Sequence, residues 1–146
     1  MNKIKFKIQK KTLVASSNFR DMEYFVVRYI PRPYSVEWNT IKKPGVVISR
    51  LLAQNKNNLL LIDRNVYQLY KEQFNIPPDR MFLADATEDF KSLDGVVRVI
   101  DFLQKHQITK AEHLIVVGGG IIEDVGAFVC ACYKRGIPWI YFPTTL

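Results

Sequence analysis

The chain has 146 residues, which is enough for one domain of ordinary size and too few for two full ones. Apolar residues make up 48% and charged residues 24%, as in soluble globular proteins, so disorder is excluded as the main state. The net charge of +7 favours an anionic partner but does not distinguish nucleic acid from small phosphates or acidic metabolites.

The cysteines and the N-terminal segment indicate in which cellular compartment the protein is expected. The two cysteines, Cys130 and Cys132, are too few for a disulfide framework or a thiolate metal site, so we expect free thiols in a reducing cytoplasm. Lysines interrupt every apolar stretch near the N-terminus, and no apolar run reaches about eighteen residues. We therefore predict a cytoplasmic protein with no membrane span.

Residues 1–45 differ in pattern from the rest of the chain. Polar and apolar residues alternate in KIKFKI at positions 3–8, which is typical of strands with one solvent-facing side. Pro31, Pro33 and the pair Pro44 and Gly45 mark turns. We predict that residues 1–45 form an antiparallel strand segment, or flap, of the same domain as residues 46–146.

From residue 58 onward, short apolar runs alternate with segments of helical period. The runs at 59–62, 81–84, 114–117 and 137–142 predict parallel strands buried on both faces. Apolar residues recur at spacings of three and four within 66–74, 90–103 and 122–133, which predicts three helices. Asp63 or Asn65 could cap the first helix, Asp85 and Glu88 have capping-box spacing for the second, and Gly136 stands where the third should stop. The pattern predicts an α/β domain.

Three consecutive glycines, Gly118, Gly119 and Gly120, join a predicted buried strand to a predicted helix. Such a turn lets bare backbone approach a ligand, and the N–H groups at the helix start favour phosphate. The dinucleotide fingerprint G-x-G-x-x-G requires a further glycine where this chain has Glu123. The turn alone leaves two equal alternatives, a phosphate site and a glycine turn required only for steric reasons.

The motifs around this turn resemble those of 3-dehydroquinate synthases. GGGIIED at 118–124 is followed by YKRG at 133–136 and PTTL at 143–146, at the spacings of the family motifs GGGVxGDxxGF, YxRG and PTTL. EDFKSL at 88–93 resembles the family's GExxKSL, and DRNV at 63–66 resembles its DxNV. The resemblance covers roughly the last two thirds of the chain, and residues 1–45 carry none of it.

The resemblance implies a Rossmann-like parallel sheet with crossover helices, preceded by the antiparallel segment. It implies an NAD-dependent lyase that converts 3-deoxy-arabino-heptulosonate 7-phosphate to 3-dehydroquinate and phosphate in the shikimate pathway, with a divalent metal, zinc or cobalt. In the family the metal ligands lie beyond the position of Leu146. We therefore expect residues 1–146 to be an N-terminal cofactor-binding part that holds no metal and is inactive alone.

Carried over motif by motif, the resemblance implies a set of site residues. The cofactor set is Asp63 and Asn65 near adenosine, Glu88 and Lys91 near ribose, Gly119, Gly120 and Ile121 at the pyrophosphate, and Asp124, Thr144 and Thr145 completing the site. Arg135 matches the family arginine that binds the substrate phosphate, for which a fork-shaped donor is suited. His106 and His113 lack a carboxylate at ligand spacing, so we expect neither to bind metal.

The implied partner is a small phosphorylated sugar acid. The basic residues are scattered without an aromatic platform, so nucleic acid is not expected. The family is usually dimeric, which implies a homodimer. Two alternatives remain open, another NAD-dependent sugar-phosphate cyclase that makes a cyclitol and a non-catalytic nucleotide-binding module.

Two positions depart from the family pattern. Glu123 replaces a glycine, and Gly126 stands one position before the glycine that the pattern has ahead of phenylalanine. A carboxylate that faced a bound phosphate would repel it, so we expect Glu123 to turn toward solvent or a basic neighbour.

Overall fold

The computed structural model describes residues 3–8, 11–16, 24–27, 34–37 and 43–145. The chain divides into two compact units, residues 1–41 and 42–146. The first unit contains two antiparallel pairs, β1 (Lys3–Ile8) with β2 (Lys11–Ser16) and β3 (Tyr24–Val27) with β4 (Tyr34–Glu37). The predicted N-terminal antiparallel segment is thereby confirmed. That residues 1–45 share a domain with residues 46–146 stays a prediction.

The second unit is built on a parallel sheet of four strands in the order β6-β5-β7-β8. The strands are β5 (Leu59–Asp63), β6 (Met81–Ala84), β7 (Leu114–Gly118) and β8 (Trp139–Pro143). All three strand pairings are parallel, which confirms the predicted α/β class. The two central strands are buried on both faces, and for this reason their sequences are continuous apolar runs.

Helices cover both faces of this sheet. They are α1 (Pro44–Gln54), α2 (Arg64–Tyr70), α3 (Leu93–Lys105) and α4 (Gly120–Cys132). Leu61 and Val116 point to the core that α3 and α4 form, whereas Leu60 and Ile115 point to the core on the side of α1 and α2. Within the described ranges, no helix is long and apolar enough to cross a membrane.

Helix α1 was not predicted, because Pro44 and Gly45 indicated only a turn. Proline suits the first helical position, where its missing N–H removes no hydrogen bond. Ile48 and Leu52, one turn apart, are buried against the sheet. The boundary predicted between residues 45 and 46 therefore falls inside the first turn of this helix.

The caps of α2 and α3 follow the sequence only in part. The Asp63 carboxylate accepts a hydrogen bond from the backbone N–H of Asn65 at 2.8 Å, so the predicted cap of α2 is confirmed. The predicted capping box of the next helix is wrong, because Glu88 belongs to a short 3₁₀ turn. The N-cap of α3 is Ser92, whose hydroxyl accepts from the N–H of Gly95 at 3.3 Å.

Arg80 connects the end of α1 to the start of the sheet. Its guanidinium donates hydrogen bonds to the carbonyl oxygens of Leu52, Asn55 and Asn58 at 2.8, 3.0 and 2.7 Å. The buried Asn58 side chain also accepts from the backbone N–H of His113 at 2.9 Å, just before β7. These bonds tie α1, β5 and β7 together at the amino edge of the sheet.

Candidate functional site

The topology places a candidate site at the carboxyl ends of β5 and β7. The connection after β5 leads to a strand on one side, and the connection after β7 leads to a strand on the other. In open α/β sheets, ligands bind at the carboxyl edge where the connections diverge in this way. Asp63 and Gly118 end the two strands at this point.

In the glycine turn, Gly118 to Gly120, the first glycine is required for packing and the last one leaves its backbone accessible. A Cβ on Gly118 would lie 2.6 Å from the Cβ of Ile122, so this glycine is required for packing. A Cβ on Gly120 would meet nothing within 4 Å. Gly119 is the N-cap of α4 and provides no side-chain cap, so no side chain caps the first N–H groups of the helix. Of the two alternatives for the turn, the steric one accounts for Gly118 but not for Gly120.

The end of β8 lies directly beside this turn. The backbone N–H of Thr144 and the hydroxyl of Tyr141 both donate to the Gly118 carbonyl oxygen at 2.9 Å. A Cβ on Gly119 would lie 3.0 Å from the Oγ1 of Thr145. The structure thus brings the glycine motif and the PTT motif together, with both threonines exposed.

Three further predicted site residues, Lys91, Ile121 and Asp124, lie near the start of α4. The Lys91 Nζ lies 2.6 Å from the Asp124 Oδ2. The hydrogen bond to Asp124 and its charge raise the pKa of Lys91, and the charge of Glu88 contributes in the same direction. Ile121 packs its side chain against the core on this face, so it can offer a ligand only its backbone. Motifs that are separated along the chain therefore lie close together in the structure.

Asp63 and Asn65 lie at the neighbouring end of β5, where Asp63 already caps α2. Beside them Arg64 forms an ion pair with Asp85, the residue that follows β6, and its hydrogen bond holds the pKa of Asp85 below the usual value. Sequence reasoning missed this pair. The available signal was an arginine and an aspartate placed directly after two strands.

Arg135 lies at the other end of α4 from the glycine turn. That helix has 13 residues, which corresponds to a length of about 20 Å. The Arg135 carbonyl oxygen accepts from the Nζ of Lys110, which precedes β7, at 3.5 Å. Arg135 therefore belongs to the amino edge of the sheet, and this unit does not bring it together with the predicted cofactor residues.

Glu123 is half-buried, and among the described residues no salt bridge includes it. Burial raises the pKa of Tyr141 on β8 to about 12, and the charge and hydrogen bonding of Glu123 add to the increase. That Glu123 turns toward solvent or a basic neighbour stays a prediction.

No metal-ligand group is present in the part of the chain that the structure describes, where no three His, Cys, Asp or Glu side chains are close enough to hold an ion. His106 packs on the ring of Phe102 with 4.9 Å between ring centroids.

Solved structures with this fold define the class. The chain superposes on 2-epi-5-epi-valiolone synthase from Streptomyces hygroscopicus, solved with NAD+ and Zn2+ bound, with a TM-score of 0.53 and 25% identity over 60% of this chain and 26% of that chain. It shares the fold of 2-deoxy-scyllo-inosose synthase complexed with carbaglucose-6-phosphate, NAD+ and Co2+. There the TM-score is 0.59 and the identity 14%, over 83% of this chain and 35% of that one. The second unit has the Rossmann-like fold of sugar-phosphate cyclases.

Sequence similarity narrows the class. Residues 81–146 match the family described as 3-dehydroquinate synthase N-terminal. The chain is 33% identical over 96 residues to the 3-dehydroquinate synthase of Streptococcus agalactiae, which covers 66% of this chain and 26% of that protein. It is 30% identical over 137 residues to demethyl-4-deoxygadusol synthase of Trichormus variabilis, which covers 94% of this chain and 33% of that protein. The resemblance of residues 81–146 to the N-terminal part of 3-dehydroquinate synthases, which the motifs predicted, is thereby confirmed. The chain spans about a quarter to a third of the length of these relatives.

Proposed function

We propose that this chain binds NAD+ at the glycine turn and supplies the cofactor-binding part of a 3-dehydroquinate synthase-like lyase. The observation that carries the proposal is the turn itself, where an uncapped helix start and the open position at Gly120 coincide at the carboxyl edge of β7. The NAD+ bound in two solved structures that share the fold supports it.

Different residues of the site would bind different parts of the dinucleotide. The N–H groups at the start of α4 are suited to the pyrophosphate, because they carry the positive end of the helix dipole. The hydroxyls of Thr144 and Thr145 lie beside that position. Asp63, at the end of β5, is suited to accept from ribose hydroxyls. When bound, NAD+ supplies the hydride acceptor that oxidises a substrate hydroxyl.

Lys91 and Asp124 would organise the start of α4 before the cofactor arrives. The Asp124 carboxylate stands near the positive end of the helix, where a negative charge is favourable. Lys91 holds it by an ion pair and compensates its charge, so the carboxylate adds little repulsion to a site that must accept two phosphate charges. Lys91 therefore has a neutralising role toward Asp124, and neither side chain is required to move a proton.

The whole reaction, the release of phosphate from the heptulosonate and the formation of 3-dehydroquinate, is proposed for a protein that also supplies a metal site. Arg135 stays a proposed ligand of the substrate phosphate. Its place at the amino edge means that the glycine turn of the same unit does not form that phosphate site.

A second candidate is a cyclase that makes a cyclitol from another sugar phosphate. The 30% identity to demethyl-4-deoxygadusol synthase extends over 94% of this chain, further than the match to the streptococcal enzyme. Glu123 also departs from the glycine of the 3-dehydroquinate synthase motif. Product analysis of the active enzyme with each sugar phosphate separates the two candidates.

Calorimetric titration with NAD+ tests the shared part of both candidates. We expect the chain to bind NAD+ and Gly120→Ala to weaken binding about tenfold, because the new methyl group enters the space through which the pyrophosphate would approach. Cys132→Ala, at the exposed far end of the same helix, is the matched control and should keep the original affinity. No binding by the unaltered chain, or equal binding by Gly120→Ala, would overturn the proposal.

A further inference from the structure

Arg64 and Asp85 have no role in the proposed function, although they form an ion pair at the carboxyl edge of the sheet. Strands β5 and β6 pair with Asp63 opposite Ala84, so the two residues that follow these strands, Arg64 and Asp85, also come opposite each other. The Arg64 Nε donates to the Asp85 Oδ1 at 2.5 Å, and the Nη2 donates to the Oδ2 at 3.5 Å. The carboxylate therefore occupies the side of the guanidinium that carries two parallel N–H groups.

This ion pair contributes little to the stability of the fold. Its side chains are 46% and 60% exposed, and water and salt screen the attraction between charges at such positions. Arg64 is also the first residue of α2, where a positive charge lies at the positive end of the helix dipole. Neither packing nor helix formation therefore accounts for an arginine and an aspartate at these two positions.

The position of Arg64 connects the ion pair with the ribose of a dinucleotide. Its neighbour Asp63 accepts from the backbone N–H of Asn65 through Oδ1 at 2.8 Å, and its second oxygen can accept from a ribose hydroxyl. In dinucleotide-binding sheets, an acidic residue binds the ribose hydroxyl of NAD, and a nearby arginine accommodates the 2′-phosphate of NADP. This chain has both residue types side by side, and its arginine is already paired with a carboxylate.

We propose that Asp85 is a positioning residue for Arg64 and thereby makes the site selective for NAD+ over NADP+. The carboxylate holds the guanidinium toward the end of β6 and compensates its charge. A 2′-phosphate would meet the negative charges of Asp63 and Asp85 and would have to displace Asp85 from its bonds to Arg64. The place of the dinucleotide rests on the proposed function, whereas the ion pair does not.

Calorimetric titration with NAD+ and with NADP+ tests the inference on the unaltered chain, Asp85→Asn, Arg64→Gln and the double variant. We expect the unaltered chain to bind NAD+ about tenfold more tightly than NADP+. Asp85→Asn should reduce this ratio about tenfold, mainly by tightening NADP+ binding, because the freed guanidinium can donate to the 2′-phosphate. Arg64→Gln alone should not improve NADP+ binding. In the double variant the ratio should return to within about twofold of the original, since no guanidinium remains at position 64.

Three controls separate specificity from support of the fold. Asp85→Glu keeps the carboxylate and should keep the preference for NAD+. Asp101→Asn removes an exposed carboxylate in the second half of α3 and should leave the ratio of the two affinities unchanged. Asp85→Asn should keep the melting temperature of the unaltered chain, because the ion pair is exposed to solvent.

The outcomes distinguish this inference from the proposed function. A ratio that is unchanged in Asp85→Asn, or that falls equally in the double variant, would overturn the inference, and NAD+ binding would still support the proposed function. An unaltered chain that preferred NADP+ would also overturn it. If the unaltered chain bound neither dinucleotide, the proposed function would fail and the inference with it.

Discussion

The two ends of α4 carry the two most specific motifs of the chain and differ in how they use their polar groups. At the start, no side chain caps the helix and Gly120 faces open space. At the end, the N–H of Ile137 donates to the Cys130 carbonyl oxygen at 2.9 Å, and the Nζ of Lys134 donates to the Ile108 carbonyl oxygen at 2.7 Å. The start of α4, here the open end, leaves its first N–H groups without a side-chain cap, whereas its other end, here the closed end, satisfies its groups within the chain.

The closed end contains backbone strain that the open end lacks. Lys134, Arg135 and Gly136 have φ values of 47°, 61° and 98° in succession. For residues other than glycine, this region costs about 1–2 kcal/mol each. Glycine would relieve the strain at both of the first two positions, so the lysine and arginine side chains there carry a local cost in conformational energy. A glycine-rich sequence marks the open end of α4, the proposed binding end, and strained basic residues mark the closed end.

The largest expected effect on the free energy of unfolding distinguishes the glycine of the open end that is required for packing from the one that is not. Gly118→Ala places a methyl group 2.6 Å from the Cβ of Ile122, and we expect it to lower the free energy of unfolding by about 3 kcal/mol. Gly120→Ala, two residues away, should change it by less than about 0.5 kcal/mol. Urea denaturation of the three proteins provides the measurement. Similar losses for both variants would mean that the turn has no open position.

Substitutions can either increase or relieve the backbone strain at the closed end. Gly136→Ala forces a methyl-bearing residue to a φ of 98° and should destabilise the fold by about 2 kcal/mol. Arg135→Gly should instead stabilise it by up to about 1 kcal/mol, because glycine accepts a left-handed conformation without steric cost. Thermal unfolding monitored by circular dichroism detects both changes. If Arg135→Gly destabilised the chain, its side chain would have a structural role.

Alkaline pH should lower the stability of the fold through Cys130, the buried cysteine near the closed end. Burial raises the pKa of Cys130 from its ordinary value of 9.0 to about 12. Above pH 9 the unfolded chain loses the thiol proton and the folded chain keeps it, so stability falls with pH by about 1.4 kcal/mol per unit between pH 9 and 12. The stability advantage over Cys130→Ala should shrink accordingly. An advantage over Cys130→Ala that does not change with pH would contradict the assignment.

The smallest expected effect on stability concerns the ion pair at the open end. The side chains of Lys91 and Asp124 are 47% and 55% exposed, so water and salt screen their attraction. Lys91→Met should leave the melting temperature unchanged while weakening NAD+ binding. Lys105→Met, in the last turn of α3, is the control for loss of a surface charge and should alter neither. A marked drop in melting temperature for Lys91→Met would show that the pair is structural.

The parallel sheet could be predicted because β5 and β7 are buried on both faces and carry uninterrupted apolar runs. Helix α1 could not be predicted from Pro44 and Gly45, since a proline and glycine pair marks either a turn or a helix start, depending on how the next residues pack. The cap of α3 was misplaced for a related reason. Glu88 has the spacing of a capping box, but Ser92 is the residue that caps the helix.

For the site, order along the chain predicted a group of residues that the structure does bring together, such as Lys91 with Asp124. A relation that depends on strand pairing could not be predicted. The hydrogen bond from the Tyr141 hydroxyl to the Gly118 carbonyl oxygen follows from the register of β8 against β7, and motif spacing does not carry that register. The separation of Arg135 from the turn follows instead from the length of α4, a helix that the sequence did predict.

Because β5 lies in the middle of the sheet, it determines where a separately expressed fragment of the second unit can begin. The segment that matches the family, residues 81–146, begins after β5, yet β5 lies between β6 and β7. A polypeptide cut at residue 81 would lack the strand that joins its neighbours and would leave two rows of unpaired backbone groups, a template for aggregation. It would also lose Arg80 and its bonds to the end of α1. A chimaera or a minimal expression fragment of the second unit must therefore begin ahead of Pro44, well before residue 81, where the match to the family begins.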